Sequence, residues 1–570
     1  ASFGIDRNYQ RREVYMPKTT LYGEKADGRA DIGQYDRSDY LLELTANYAK
    51  RFGNHNLNAL VGYSFQRFTS KYLNAGNQGF LTDAFLFNNL GAGTYEKPWV
   101  GSSASKSEMA SFFGRVNYTY KDRYLLTATL RADGASNFAK NNRWGYFPSV
   151  ALGWRFTEEN FARSLNLDKV LSNGKLRLSY GQTGNSNIGD KSVTYYGTGY
   201  NKVFGNKEYT GVYVSQIGNP DLKWETTTEW NVGLDLGFLN NRFNVTAEYF
   251  HKVVSDLLSS RSVLSYNEVG SIAANIGKTQ SQGFELTVNT KNFDTKDFSW
   301  NTDFTFSFYR DKWKERDESW SPNPYDMYNA PLRGYYMYLS DGLIQPGEEV
   351  SWMPGALPGQ VKLKDIDGYA YNADGTYKTD KHGIPLRTGK PDGKIDYADA
   401  VFKGCSDPGY LLGLNNTFRY KNFDLNVYFY GQLDLLKSGS YKDYWIVGSG
   451  TMTGVNNLYR GYNMPTSAKD VWSHDNTSGK MPGYFQYMSN YGYGDYFLEK
   501  SWFIRCRNIT LGYTLPVKSA KKLISNVRIY ADVNNLFTIT PYDGLDVETD
   551  DSYWAYPNVR SFSIGLDITF

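Results

Sequence analysis

Cysteine is scarce in this sequence, since only Cys405 and Cys506 occur among its 570 residues. Two thiols are too few for a disulfide framework, and they do not lie at a metal-ligand spacing. A run of about 18 apolar residues is also absent, which excludes a transmembrane helix of the length that a bilayer requires. The net charge of +3 is small for this length and gives no polyanion-binding footprint, so nucleic acid is not an expected partner.

Recognisable catalytic groups are missing as well. The histidines are His55, His251, His382 and His474. They are scattered, and none lies beside a serine or cysteine in a nucleophile context. Carboxylates are common, but the solvent-facing side of a strand is expected to carry them. The glycine-rich stretches precede no helix that would bind phosphate. The sequence therefore predicts a protein that is not an enzyme and requires no cofactor.

Aromatic residues are abundant, forming 17% of the chain and including 49 Tyr. The stretch 225–252 shows how the apolar residues are arranged. They occupy the even positions of 230–238 and the odd positions of 243–249. This alternation predicts an antiparallel hairpin with two unlike faces. The residues between the two strands, Leu-Asn-Asn at 239–241, favour the positive φ angles of a tight turn.

The same alternation recurs along the chain in about sixteen strands of about ten residues each. Long and short connections alternate strictly, which places long loops on one rim and tight turns on the other, as in outer-membrane barrels. We therefore predict an all-β fold, a transmembrane antiparallel β-barrel in a lipid bilayer. The stretches 13–38 and 182–223 are predicted as loops, and 157–174 has the spacing of a short helix. The alternative is a large soluble β-protein or solenoid, which no repeat period of roughly 20 to 50 residues supports.

One group of acidic residues in a long loop exceeds this background. It comprises Asp365, Asp367, Asp392, Asp396 and Asp399, together with the backbone carbonyl of Lys394. Without the insertion 369–391 the residues read D-x-D-G-D-G-K-I-D-x-x-D, which places oxygen atoms at the ligand positions of a calcium-binding loop. Oxygen ligands at this spacing suit Ca²⁺ or Mg²⁺ rather than zinc. The alternative is a pair of Asp-Gly turns in a solvated loop, because the insertion interrupts the motif and the last ligand is Asp rather than Glu.

Five segments carry a family resemblance. They are residues 143–156 (RWGYFPSVALGWRF), 175–185 (KLRLSYGQTGN), 219–225 (NPDLKWE), 392–396 (DGKID) and 534–537 (NNLF). Together they resemble the SusC/RagA class of TonB-dependent outer-membrane transporters of Bacteroidota, and the resemblance covers essentially the whole chain. It implies a barrel of about 22 strands with an internal plug. It also implies a SusD-type lipoprotein lid and uptake of oligosaccharides or oligopeptides driven by the TonB complex.

The N-terminal parts of such proteins do not appear before Ala1. We expect the signal peptide, the N-terminal extension, the TonB-contacting segment, the plug and about six strands on upstream sequence. Residues 1–570 are therefore predicted to be the C-terminal part of the barrel, and we interpret the chain as a processed or partial product. The predicted location is the bacterial outer membrane, with the long loops extracellular and the C-terminus periplasmic. Alternatives to active import are a self-contained passive porin of about sixteen strands and an outer-membrane receptor or adhesin.

The two longest loops, 311–407 and 431–500, carry many aromatic residues on the predicted external rim. They include Trp313, Trp320, Trp352, Trp445, Tyr459, Trp472, Tyr484 and Tyr487. Exposed aromatic residues on long loops are costly unless they are covered. Some are expected to pack each loop on itself, and the others to stack on sugar rings or peptide side chains, or to meet the lid. We predict substrate or lid contacts for Trp445, Tyr459, Trp472, Tyr484 and Tyr487.

Overall fold

The computed structural model describes residues 1–165, 170–264, 266, 268–317, 330–381, 383–439, 466–516, 525–549 and 556–569. Within these ranges sixteen strands form one antiparallel sheet, in which strands that follow each other in this order are hydrogen-bonded neighbours. They are β1 (Ser2–Met16), β2 (Arg29–Phe52), β3 (His55–Gln78), β4 (Trp99–Tyr120), β5 (Tyr124–Ala135), β6 (Trp144–Trp154), β7 (Leu171–Asn185), β8 (Glu225–Phe238), β9 (Phe243–Ser255), β10 (Lys278–Asp294), β11 (Phe298–Glu315), β12 (Tyr410–Tyr420), β13 (Phe423–Leu433), β14 (Phe503–Thr514), β15 (Asn526–Ile539) and β16 (Ser561–Thr569). The predicted all-β class and the sixteen strands are confirmed.

The chain forms two compact units. The first comprises Ala1–Trp154, Arg177–Trp230 and Val253–Lys278. The second comprises Arg155–Leu176, Asn231–Lys252 and Thr279–Phe570.

The predicted alternation of faces is present in the first unit. The strand registers place Leu44, Val61, Phe112 and Leu130 on one face of β2 to β5. These side chains are 44%, 62%, 54% and 56% exposed. A continuous set of large apolar side chains is costly in water, but it is the ordinary surface of a strand that faces lipid. This face of the sheet is therefore suited to hydrocarbon.

Tight turns join the strands at one edge of the sheet. In the turn between β4 and β5, Lys121 and Asp122 have φ angles of 53° and 55°. In the turn between β8 and β9, Leu239, Asn240 and Asn241 have φ angles of 50°, 57° and 57°. Positive φ angles at consecutive residues give the backbone twist that suits short hairpin connections. The turn predicted at 239–241 is confirmed.

Strands β2 and β3 are much longer than predicted. Each has 24 residues, whereas about ten suffice to cross the apolar band. The stretch 29–38, which we predicted as part of a loop, is the first part of β2 and pairs with both β1 and β3. Its few apolar residues are Ala30, Ile32 and Tyr35, so the apolar alternation that reveals a strand is not sustained along it. Backbone hydrogen bonds hold it, with ion pairs such as that between Arg7 and Asp36 at 3.2 Å.

The loops contain structure of their own, including a hairpin in the predicted loop 182–223. The small two-stranded sheets are Tyr195–Phe204 with Lys207–Gln216, Leu258–Ser262 with Ser271–Asn275, Gly334–Met337 with Val401–Cys405, Ser340–Leu343 with Val361–Leu363, and Leu436–Ser438 with Leu498–Lys500. The α-helices are Leu21–Lys25 and Asn160–Ser164, and the second lies where a short helix was predicted. The 3₁₀ helices are Asp83–Phe85, Leu90–Ala92, Phe156–Glu158, Tyr397–Asp399, Thr466–Asp470 and Gln486–Met488.

Among the helices of the described ranges, none is both long enough and apolar enough to cross a membrane.

Three of the segments that carry the family resemblance meet in the apolar core of the first unit. The indole of Trp224 donates a hydrogen bond to the carbonyl of Arg143 at 2.9 Å. Its ring packs edge-on against Phe147, with the centroids 5.4 Å apart. Gly184 leaves room for this pair, because a Cβ at that position would lie 2.0 Å from the Phe147 ring. These motif residues therefore pack a core where the loops leave the sheet.

Candidate functional site

The loops that follow β11 and β13 fold together within the second unit. We call this element the loop lobe and define it by the described residues of 334–407 and 466–500. Its interior is an apolar cluster drawn from both loops. The buried members are Leu343, Met353, Val361, Leu363 and Trp472. Loops of this length acquire a fixed structure only where they bury apolar surface of their own, which this cluster provides.

Trp472 lies in the interior of the loop lobe and is 1% exposed. Gly359 provides the space for its ring. The φ angle of Gly359 is 84°, and a Cβ there would lie 2.3 Å from the indole ring of Trp472. We predicted that Trp472 contacts substrate or lid, and its position corrects that prediction, since a ring enclosed in this way packs the lobe and presents no surface. The burial of an indole stabilises the pairing of the two loops.

Two buried glutamines fix the two loops of the lobe against each other. Gln360 donates a hydrogen bond to the carbonyl of Phe485 at 3.0 Å. Gln486 accepts one from the amide of Val361 at 2.7 Å and donates one to the carbonyl of Gly492 at 3.1 Å. The two side chains are 1% and 2% exposed. A buried amide that loses its partners costs about 1–3 kcal/mol, so these bonds define one register between the loops.

The other predicted contact residues lie in different places. Tyr484 is partly buried against an apolar cluster of the lobe, and burial raises its pKa. Tyr487 belongs to the 3₁₀ helix Gln486–Met488. Trp445 and Tyr459 lie outside the described residues. Substrate or lid contact by these four residues stays a prediction.

The two halves of the acidic group come together in the loop lobe. The carboxylate of Asp365 accepts hydrogen bonds from the amides of Asp392 and Gly393 at 3.1 and 2.7 Å. The insertion 369–391 is thus an excursion that begins and ends at the same place. The two halves of the acidic group are far apart in sequence. Their proximity was suggested by the calcium-loop pattern that appears when the insertion is left out.

Protein groups already occupy the carboxylates of this acidic group. Asp399 is buried and accepts a hydrogen bond from the amide of Asp396 at 2.9 Å, and burial raises the pKa of Asp399. The ammonium of Lys394 lies 2.7 Å from Asp396, whose hydrogen bond raises the pKa of Lys394. Asp367 accepts from the amide of Gly389 at 2.6 Å. Across the part of the chain that the structure describes, no three His, Cys, Asp or Glu side chains are placed to hold a metal ion. The Ca²⁺ or Mg²⁺ site stays a prediction.

The loop lobe also contains a cavity of about 350 Å³ that the sequence did not reveal. Its aromatic lining consists of Tyr336, Tyr338, Tyr397, Tyr491, Tyr493 and Phe497. These residues come from three separate stretches of the chain, and no regular spacing connects them. The only available signal was the high tyrosine content of the two longest loops.

The comparisons with known proteins agree on one family. Residues 2–536 match the family model described as TonB dependent receptor-like, β-barrel. The chain is 31% identical to TonB-dependent receptor SusC of Bacteroides thetaiotaomicron, over 95% of this chain and 51% of SusC. It is 30% identical to TonB-dependent receptor P3 of Formosa agariphila, over 100% of this chain and 56% of P3. The chain thus spans about half the length of these relatives.

A solved structure of the RagAB peptide transporter shares the fold. Its TM-score is 0.78 at 22% sequence identity, and the match covers 100% of this chain and 59% of that one. At this level of identity the likeness concerns the fold alone. Together with the family match and the SusC relationship, the sixteen-stranded sheet identifies the chain: it belongs to the TonB dependent receptor-like β-barrel family, with SusC among its homologues.

Proposed function

We propose that this chain is the C-terminal barrel portion of an outer-membrane importer that takes up nutrient oligomers with energy from the TonB complex. The oligomers are oligosaccharides or oligopeptides. The observation that carries the proposal is the loop lobe, in which two long loops on the same edge of the sheet share one apolar core. Family membership supports the same assignment. A folded element of this kind suits the capture of a substrate better than free diffusion through an open mouth.

The route of the substrate follows from the arrangement of the parts. The loop lobe would face the exterior, and a SusD-type lipoprotein would close over it so that substrate is enclosed before the plug moves. The plug, the first strands of the barrel and the segment that contacts TonB belong to upstream sequence. The short-turn edge and the C-terminus would face the periplasm.

Growth of a strain that lacks the full-length gene tests this function. On a panel of glycans and peptides, the deletion strain should fail on one class of nutrient, and restoration of growth by the gene should require a functional TonB complex. Passive diffusion through a porin would survive the loss of TonB. A receptor or adhesin would bind its ligand without any TonB-dependent uptake.

The role of the loop lobe is tested by a pair of glycine variants in the full-length protein. Gly359→Ala adds a methyl group against Trp472, whereas Gly347→Ala, at a similar φ angle of 82°, has no atom within 4 Å of its new Cβ. Overpacking of this kind costs about 1–3 kcal/mol. Gly359→Ala should therefore reduce lid co-purification and uptake severalfold more than Gly347→Ala does, with equal membrane insertion of both. Wild-type uptake in Gly359→Ala would contradict the proposed role of the lobe.

A further inference from the structure

The tyrosine-lined cavity of the loop lobe has the size of a small-ligand site. Its volume of about 350 Å³ lies at the lower end of the roughly 300–1,000 Å³ that ligand pockets occupy. Both loops contribute to it, with Tyr336 and Tyr397 from the first and Tyr491 and Phe497 from the second. The cavity therefore exists only when the lobe is folded, and it accommodates a group of about one ring.

Half of its lining residues are aromatic. Tyr397 is 54% exposed. The rings of Tyr493 and Phe497 lie 5.1 Å apart between centroids, and Tyr336 packs on Phe402 at 5.3 Å. The face of an aromatic ring is partially negative and attracts partially positive C–H groups. A sugar ring presents such C–H groups on its faces and hydroxyl groups at its edge, so it can stack on a tyrosine and still form hydrogen bonds.

The lining residues, all of which belong to the described ranges, include no charged side chain. Asp495 adjoins a lining glycine in sequence, and it is paired with Lys403 at 3.0 Å and accepts a hydrogen bond from the amide of Ser340 at 2.7 Å. Burial raises the pKa of Tyr338, and the nearby carboxylates of Asp396 and Asp399 act in the same direction. Asp396 is paired with Lys394 at 2.7 Å, and Asp399 accepts backbone amide hydrogen bonds, so both carboxylates already have partners within the protein. An ionised ligand would lose water here without meeting an unpaired counter-charge, whereas a neutral ligand avoids that cost.

The walls are fixed by contacts within the protein. The hydroxyl of Tyr491 donates a hydrogen bond to the carbonyl of Pro354 at 3.1 Å. Gly494 has a φ angle of 55°, and a Cβ there would lie 2.6 Å from the carbonyl oxygen of Tyr338. The amide of Asp495 donates to that same oxygen at 3.0 Å. A site held in this way loses little conformational entropy when it binds a ligand.

We propose that this cavity binds a neutral sugar ring. The proposal rests on the proposed import function, and it makes the imported oligomer a neutral oligosaccharide rather than a charged peptide. Stacking on the exposed ring of Tyr397 would supply much of the affinity, and the uncharged lining would reject ionised side chains. The cavity would then select the substrate by its chemical class.

Calorimetric titration of the full-length transporter in detergent tests the site. The probes are neutral hexasaccharides of an α-glucan, a β-glucan, a mannan and a galactan, with one acidic and one basic hexapeptide. At least one hexasaccharide should bind. Tyr397→Ala should weaken that binding about tenfold, and Tyr397→Phe, which keeps the ring, less than about threefold. Tyr371→Ala is the matched control, because Tyr371 is a 44% exposed tyrosine of the same loop that does not line the cavity.

A second variant acts at a lining residue that lies outside the loop lobe, Ser438. Ser438→Phe adds a ring at a lining residue, removes none of the tyrosines and should also block the saccharide. Saccharide binding that survives both Tyr397→Ala and Ser438→Phe would overturn the site, as would the absence of millimolar binding by all four hexasaccharides. Peptide binding that depends on Tyr397 would overturn the ligand class. TonB-dependent uptake without saccharide binding would refute this inference alone, whereas saccharide binding without such uptake would refute the import function alone.

Discussion

Arg505, at the start of β14, is a buried cation that secures the loop after β15. Its side chain is 5% exposed. The guanidinium donates a hydrogen bond to the hydroxyl of Thr538 at 2.8 Å, another to Asp546 at 3.0 Å, and also contacts Glu548. We predict that Arg505→Met releases the segment 540–549 from the end of the sheet, because the buried Asp546 and the partly buried Glu548 lose their common partner.

The free-energy cost of Arg505→Met depends on which hydrogen bonds and ion pairs Asp546 and Glu548 retain. Removal of one partner of a buried ion pair costs about 3–5 kcal/mol. Asp546 keeps amide hydrogen bonds from Glu548 at 2.8 Å and from Asn558 at 2.7 Å, and Glu548 keeps Arg507 at 3.2 Å. These contacts place the cost at the lower end, about 3 kcal/mol. The equilibrium constant for local opening of the loop should then rise on the order of a hundredfold.

Hydrogen–deuterium exchange of the full-length protein in detergent measures that opening. In Arg505→Met, amides of 540–549 should exchange on the order of a hundredfold faster, while those of β14 and β15 keep their protection. Arg507→Met is the control, because the side chain of Arg507 is 43% exposed and an exposed pair is worth about 0–1 kcal/mol. Unchanged exchange in Arg505→Met, or equal acceleration in the two variants, would refute the reasoning.

Two further predictions concern acidic groups outside the strands. Burial raises the pKa of Asp546, but hydrogen bonds from two backbone amides and from Arg505 outweigh it, so the pKa lies below its ordinary value. A lowered pKa stabilises the folded loop at pH values above the unfolded pKa of about 3.9, and that stabilisation is lost as the pH falls further. Hydrogen–deuterium exchange of the loop amides, corrected for intrinsic rates, should therefore accelerate below about pH 4. The variant Asp546→Asn should abolish this acceleration. If the acidic group binds Ca²⁺ or Mg²⁺, calorimetry should detect millimolar or tighter binding that Asp392→Asn removes, and no heat in the wild-type protein would reject the site.

The sixteen strands were predictable because one physical requirement applies to each of them. In a strand with one apolar face, apolar and polar residues must alternate. This alternation can be recognised wherever the apolar face is continuous, as in the stretch 230–238. The first part of β2 escaped prediction because its pairing depends on backbone hydrogen bonds that any sequence can form. The hairpin Tyr195–Phe204 with Lys207–Gln216 escaped for a related reason, since glycine and exposed aromatic residues interrupt its pattern.

The candidate site was less predictable because its contacts join distant parts of the chain. The enclosure of Trp472 depends on Gly359, more than a hundred residues earlier, and nothing local distinguishes this tryptophan from an exposed one. The meeting of Asp365 with Asp392 was accessible because the two halves of that motif complete a known loop pattern. The tyrosine cavity has no such pattern, since its walls are defined by the packing of one loop on the other.

The proposed sugar site lies within the loop lobe, and this placement would constrain how the proposed import is driven. Gln360 and Gln486 fix the two loops in one register, so the affinity of the cavity would be the same before and after the plug moves. A ligand with equal affinity for two states shifts neither of them. Under the import function proposed above, direction would come from parts that change access to the cavity, namely the proposed lid and plug, with energy delivered through TonB. The loop lobe would then set which substrate is captured and how tightly, and the turnover rate would belong to the parts of the proposed transporter that move.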